Sequence, residues 1–89
     1  MELKLIKEDT KGRVYQIDNF KIFYRYKGTV SGDNSENKKE LVYLIAGKAK
    51  ITIKKSTKTM EAPAKIKIPA KTYHKIKALT DISFIIFDK

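Results

Sequence analysis

Apolar and polar residues alternate with a period of two along most of this chain. Ala49, Ile51 and Ile53 alternate with Lys48, Lys50, Thr52 and Lys54; Ala64, Ile66 and Ile68 with Lys65 and Lys67; and His74, Ile76 and Ala78 with Lys75 and Lys77. Successive side chains of a strand point to opposite faces, so each stretch predicts a strand with one face on a core and one in water. Phe20, Ile22, Tyr24 and Tyr26 alternate with Lys21, Arg25 and Lys27, which predicts those four apolar residues on the inner face and leaves Phe23 as the exception. Two runs, Leu41–Ala46 and Ile82–Phe87, are apolar on both parities, the pattern of strands covered on both sides.

Turn formers separate these runs: Lys11-Gly12, Asp18-Asn19, Ser31-Gly32-Asp33-Asn34-Ser35, Ala46-Gly47-Lys48, Pro63, Pro69 and Thr80-Asp81. No window long enough for an amphipathic helix carries the helical period. About seven to nine short strands are predicted, with Ser31–Lys39 as the one long polar loop, and strands so closely spaced make a small sandwich or barrel.

The length, 89 residues, allows one domain over the whole chain, 1–89, with a thin core. The absence of cysteine excludes disulfides, thiolate catalysis, Cys-bound zinc and iron–sulfur clusters. A staple-free small domain fits a cytoplasmic setting. The apolar runs are too short to span a membrane, and Glu2, Lys4, Lys7, Glu8 and Asp9 interrupt any leader-like stretch. With His74 the only histidine, a site with two imidazoles from one chain cannot form.

Charge complicates this picture. The net charge is +10, and residues 38–77 hold twelve lysines against Glu40 and Glu61. Two readings are open. The lysines are the solvated half of the alternating strands, where they also discourage edge-to-edge pairing, or they form an outer face that binds nucleic acid or another polyanion. Tyr43 and Tyr73 are the only aromatics in that segment and it has no arginine, so stacking platforms for bases are scarce.

Two spacings carry a resemblance. Gly28 is followed, after five residues, by Asn34-x-Glu36, then after three by Glu40 and after six by Gly47; Pro63 is followed, after five, by Pro69-x-Lys71, then after two by His74 and after three by Ala78. These resemble the two short motifs of the cupin superfamily, the first with His-x-His, Glu and Gly at the later positions, the second with Gly, Pro-x-Gly, His and Asn. Glu40, Gly47, Pro69 and His74 match. Asn34 and Glu36 stand at the two histidine positions, Pro63 and Lys71 at the glycines of the second motif, and Ala78 at its asparagine. The resemblance implies an all-β fold, a small antiparallel jelly-roll (cupin) β-barrel, with a pocket where the motif residues converge.

It further implies a divalent metal such as Mn, Fe, Ni or Zn at that pocket, with Asn34, Glu36, Glu40 and His74 in the ligand positions. Oxygen-rich sets with one imidazole suit the harder of these ions. The parities place Glu40 with Val42 and Leu44, and His74 with Ile76 and Ala78, so both are expected to point inward. Without a metal, Glu40 and His74 pair as acid and imidazole, and the pocket binds a small polar molecule or transfers protons. Tyr24, Tyr26 and Tyr43 are candidates for its wall. A homodimer is also expected, with the edge Met1–Ile6 and the doubly apolar Ile82–Phe87 buried against a second copy.

Overall fold

The computed structural model describes residues 2–88, without the side chain of Asp88. The alternating runs form strands, and there are ten among the described residues: β1 (Lys4–Asp9), β2 (Gly12–Ile17), β3 (Phe20–Arg25), β4 (Val30–Asn34), β5 (Glu40–Ala46), β6 (Lys48–Ile53), β7 (Ser56–Glu61), β8 (Ala64–Ile68), β9 (His74–Ala78) and β10 (Ile82–Asp88). The expected loop Ser31–Lys39 is shorter than its composition suggests. Its first residues continue β4, which pairs antiparallel with β9 through Val30 opposite Lys77 and Ser31 opposite Ile76. Polar side chains do not prevent a strand whose backbone finds a partner. No helix is long and apolar enough to cross a membrane.

Two antiparallel sheets face each other in jelly-roll fashion, in the orders β1-β2-β3-β10-β5-β8 and β4-β9-β6-β7. The chain crosses between them at Gly47, which lies at φ +89°; a Cβ there would stand 2.3 Å from the carbonyl oxygen of Asp81. Only glycine meets both conditions.

The core lies between the sheets. Val42 and Leu44 of β5, Ala49 and Ile51 of β6, Ile66 and Ile68 of β8, Ile76 and Ala78 of β9, and Ile82 and Phe84 of β10 form one buried cluster. Phe84 is fully buried and stacks on Phe23, with ring centroids 4.8 Å apart. Truncating such a ring to alanine costs about 3–5 kcal/mol.

That stack reverses the expected parity of β3. Phe23 and Arg25 face inward, while Ile22 and Tyr24 face outward; Tyr24 is half exposed, and Tyr26, beyond the strand, is exposed too. Both parities of this strand are apolar, so alternation alone does not choose the inner one, and the aromatic stack does. Arg25 is 5% exposed, with its Nη1 3.3 Å from Asp9 Oδ1 and its guanidinium 5.4 Å from the centroid of Phe23.

The outer surface of the six-stranded sheet is organised in cross-strand rows. Leu5, Tyr15, Ile22, Ile85, Tyr43 and Lys65 are successive partners in the middle row. Ile17, Phe20, Phe87, Leu41 and Lys67 form the next. Edge contacts of Tyr15 on Tyr24 and of Tyr43 on Phe87 tie the rows together. The outer surface of the four-stranded sheet is its opposite in character: Lys50 stands between Lys77 and Thr59, and Thr52 between Lys75 and Thr57. Within the four-stranded sheet one strand lysine departs from the outward parity. Lys58 pairs with Ile51 and so shares its inward side, on the edge strand β7. There it lines a cleft with Ile53, Met60 and Ile66, and an inward charge at a sheet edge opposes pairing with a further strand.

Candidate functional site

Each sheet turns a polar side chain from the start of a strand into the space between them. Glu40 opens β5 and shares the inward parity of Val42 and Leu44; His74 opens β9 and shares that of Ile76 and Ala78. Both line a cavity of about 530 Å3 between the sheets, with Phe23, Phe84, Ile76 and Ile86 as its apolar wall and Ser31, Asn34, Glu36 and Asn37 on its polar side.

His74 is buried, and its ring is fixed on two sides. Nδ1 lies 3.0 Å from the carbonyl oxygen of Thr72, two residues earlier. A carbonyl only accepts, so Nδ1 carries the proton and donates; in the neutral ring Nε2 is then the acceptor. Gly32 of β4 packs against the other edge. A Cβ there would stand 2.8 Å from Cδ2 and 3.0 Å from Nε2, and Gly32 itself lies at φ +84°. The ring therefore turns Nε2 toward Glu40, with 4.0 Å between Nε2 and Oε1. That separation exceeds a hydrogen bond, and a group with two protons to donate, such as an amine, can bridge the two acceptors.

The turn before β9 is clasped by Asn37. Its amide nitrogen donates to the carbonyl of Pro69 at 2.7 Å, its amide oxygen accepts from the Thr72 backbone at 3.1 Å, and its own carbonyl accepts from the Lys71 backbone at 2.8 Å. Lys71 stands where the resemblance places a glycine, and it adopts φ +50°, the left-handed conformation that favours glycine. A second tie holds the β4 end: Tyr73 Oη donates to Asp33 Oδ1 at 2.5 Å. That hydrogen bond pushes the Tyr73 phenol above its ordinary value, aided by burial and by the Asp33 charge.

The candidate residues part company here. Glu40, His74, Asn34 and Glu36 all line the cavity. The Asn34 side chain is occupied locally: its nitrogen donates to the carbonyl of Gly32 and its oxygen accepts from the Glu36 backbone, both at 3.0 Å. Asn34 and Glu36 are exposed. Tyr24, Tyr26 and Tyr43 do not line the cavity. Tyr24 and Tyr26 border an outer depression with Leu3, Gly12, Arg13 and Tyr15, and Tyr43 lies in the outer rows. The reversed parity of β3 explains Tyr24, and Tyr43 sits between the inward Val42 and Leu44. Phe23, Phe84 and Ile86 take the wall positions instead. Asn37 and Gly32 escaped the sequence reading because only tertiary contacts give them a role.

No protein-family model matches the chain, and no curated protein matches it in sequence. Solved structures do. The capsular polysaccharide assembling protein CapF from Staphylococcus aureus superposes with a TM-score of 0.80 at 16% identity over 98% of this chain, which spans 28% of CapF. An RmlC-like cupin from Shewanella frigidimarina gives 0.76 at 15% identity, covering 96% of this chain and 79% of its own. A cupin-2 domain from Rhodospirillum rubrum gives 0.74 at 16% identity, covering 99% and 72%. The fold is the cupin fold.

The divalent metal implied by the resemblance does not fit the side chains present. Among the described residues no three of His, Cys, Asp and Glu gather into a group that could hold an ion. The amide oxygen of Asn34 is engaged by the Glu36 backbone. Glu40 and His74 together supply two donors, short of the three or four protein ligands that such ions take.

Proposed function

We propose that this chain binds a small polar molecule in the cavity between its sheets, held by Glu40 and His74. One observation carries the reading: two buried or half-buried polar groups from opposite sheets face one another across 4.0 Å in a cavity walled on one side by Phe23, Ile76, Phe84 and Ile86. The chemistry of the site selects its ligand. The Glu40 carboxylate is an acceptor, and so is Nε2 of His74 whenever its ring is neutral, since Nδ1 donates to the Thr72 carbonyl; Glu36 adds negative charge to the lining. A hydroxyl- or amine-bearing molecule with an apolar body against Phe23 and Phe84 is favoured over a carboxylate. The cytoplasm is the proposed setting, since a cysteine-free domain needs no oxidising compartment.

The test is a titration of isotope-labelled protein with small polyols, amines and carboxylates, followed by amide and imidazole resonances. Polyols or amines are expected to shift Gly32, His74 and Phe84, and to shift them no longer in Glu40→Leu. A response to carboxylates alone would count against the reading.

A second reading rests on the other face. Lys50 and Lys77 stand directly opposite each other on the outer surface of the four-stranded sheet. Like charges so placed repel, and a bound anion relieves them. A nucleic acid or another polyanion would bind there through phosphate contacts alone, since the outward strand positions hold no aromatic for stacking. Its affinity for DNA would fall steeply with salt, and no binding at low salt would remove this reading.

A further inference from the structure

We propose that the cleft between β7 and β8 is a second binding site, for a small amphipathic carboxylate with an apolar body and one anionic head. The strand orders create it. β7 ends the four-stranded sheet and β8 ends the six-stranded one. The two follow each other in the chain without pairing, so the space between the sheets opens along this edge. The inward parity of β7 places Ser56 opposite Ile53 and Lys58 opposite Ile51. Ile51 and Ile66, each 3% exposed, form the floor of the cleft, and Ile53 and Met60 are half-buried beside them. No residue of this lining belongs to the cavity of Glu40 and His74.

Size, charge and shape select the occupant. The cleft encloses about 240 Å3. An apolar cavity of about 150 Å3 holds a benzene ring, so there is room here for a substituted ring or a short aliphatic chain, to which the unbranched Met60 adapts. Lys58, Lys65 and Lys67 line the cleft and no acid does. Among the described residues none of the three is ion-paired. Their stems extend the apolar surface while their ammonium groups stay in water, and an anionic head there relieves their mutual repulsion. The other cavity carries Glu36 and Glu40 without a lysine or arginine, so the two sites take ligands of opposite charge. A recessed floor admits a single molecule and not a bilayer, which needs apolar side chains that protrude. The inward charge of Lys58 opposes an added strand.

Octanoate, titrated into isotope-labelled protein, tests this. It is expected to shift the side-chain resonances of Ile51, Met60 and Ile66, and to bind more weakly as salt rises. The His74 ring is expected not to respond, so this site and that of Glu40 are read separately. Lys58→Gln, at an exposed edge position, is expected to weaken binding about two- to fivefold, the worth of one exposed ion pair. Lys65→Gln combined with Lys67→Gln is an independent variant with an effect in the same direction. Octylamine that shifts the three residues as strongly as octanoate overturns the inference. So does octanoate that leaves them unmoved in the millimolar range, or that binds both variants as tightly as the wild type. A response confined to anionic vesicles or to an acidic peptide overturns it as well.

Discussion

Nε2 of His74 and Oε1 of Glu40 face each other across 4.0 Å, one group from each sheet. The two differ in what else they support. His74 satisfies the carbonyl of Thr72 from within the core, whereas Glu40 brings a carboxylate into a partly dry cavity. His74→Phe is expected to cost about 1–3 kcal/mol in urea unfolding, the penalty for a buried acceptor left without a donor. Glu40→Leu is expected to abolish the ligand-induced resonance shifts, with urea unfolding recorded alongside to show that the protein stays folded.

Gly32 and Gly28 separate contact from conformation. Both have positive φ, +84° and +88°, but a Cβ meets the His74 ring at Gly32 and nothing within 4 Å at Gly28. Alanine at either position costs about 1–2 kcal/mol for the left-handed backbone. Gly32→Ala should add a further loss and move the imidazole resonances of His74. Gly28→Ala should leave those resonances in place.

Arg25 is a buried cation whose Nε has no hydrogen-bond partner among the described residues. Its partner Asp9 has its pKa lowered, chiefly by the hydrogen bond from the Lys11 backbone; burial opposes this, and the charges of Arg25 and then Lys7 add to the lowering. A lowered folded value means that this contribution is present above the ordinary carboxylate pKa and is lost as pH falls through the folded one. Asp9→Asn should therefore lower the melting temperature at neutral pH and flatten its fall in acid. Arg25→Met alone should destabilise, since it leaves Asp9 without its partner, whereas Arg25→Met together with Asp9→Leu should recover most of that loss.

The Tyr73–Asp33 tie acts at the opposite end of the scale. The phenol is raised, so its contribution is complete below the ordinary tyrosine pKa and is lost as pH rises through the folded value. Melting temperatures recorded through the alkaline range should fall more steeply in the wild type than in Tyr73→Phe.

Lys71 holds a left-handed conformation without being glycine. Lys71→Gly relieves that strain at some cost in chain entropy, for a net gain of up to about 1 kcal/mol. Denaturant midpoints compared at equal slope would measure it.

Much of this architecture was legible in the chain itself. Period-two alternation determined β6, β8 and β9 and the inward turn of His74, Ile76 and Ala78, because one face of each is charged and cannot be buried. The motif spacings resembled those of the cupin superfamily, with Glu40, Gly47, Pro69 and His74 at matching positions; of these, Gly47 is required by its backbone. Three things belonged to the tertiary structure. The parity of β3 was one: with apolar residues on both faces, only the stacking of Phe23 on Phe84 chose the inner side and moved Tyr24 out of the cavity. The strand β4 was another, for its polar residues are ordered by backbone bonds to β9 rather than by burial. The last was the site. Sequence supplied Glu40 and His74 as separate inward residues, but which nitrogen faces the carboxylate depends on the Thr72 carbonyl, and the ring's position depends on a glycine from a third strand. Alternation records which side of a strand avoids water; it holds no information about which strand lies opposite.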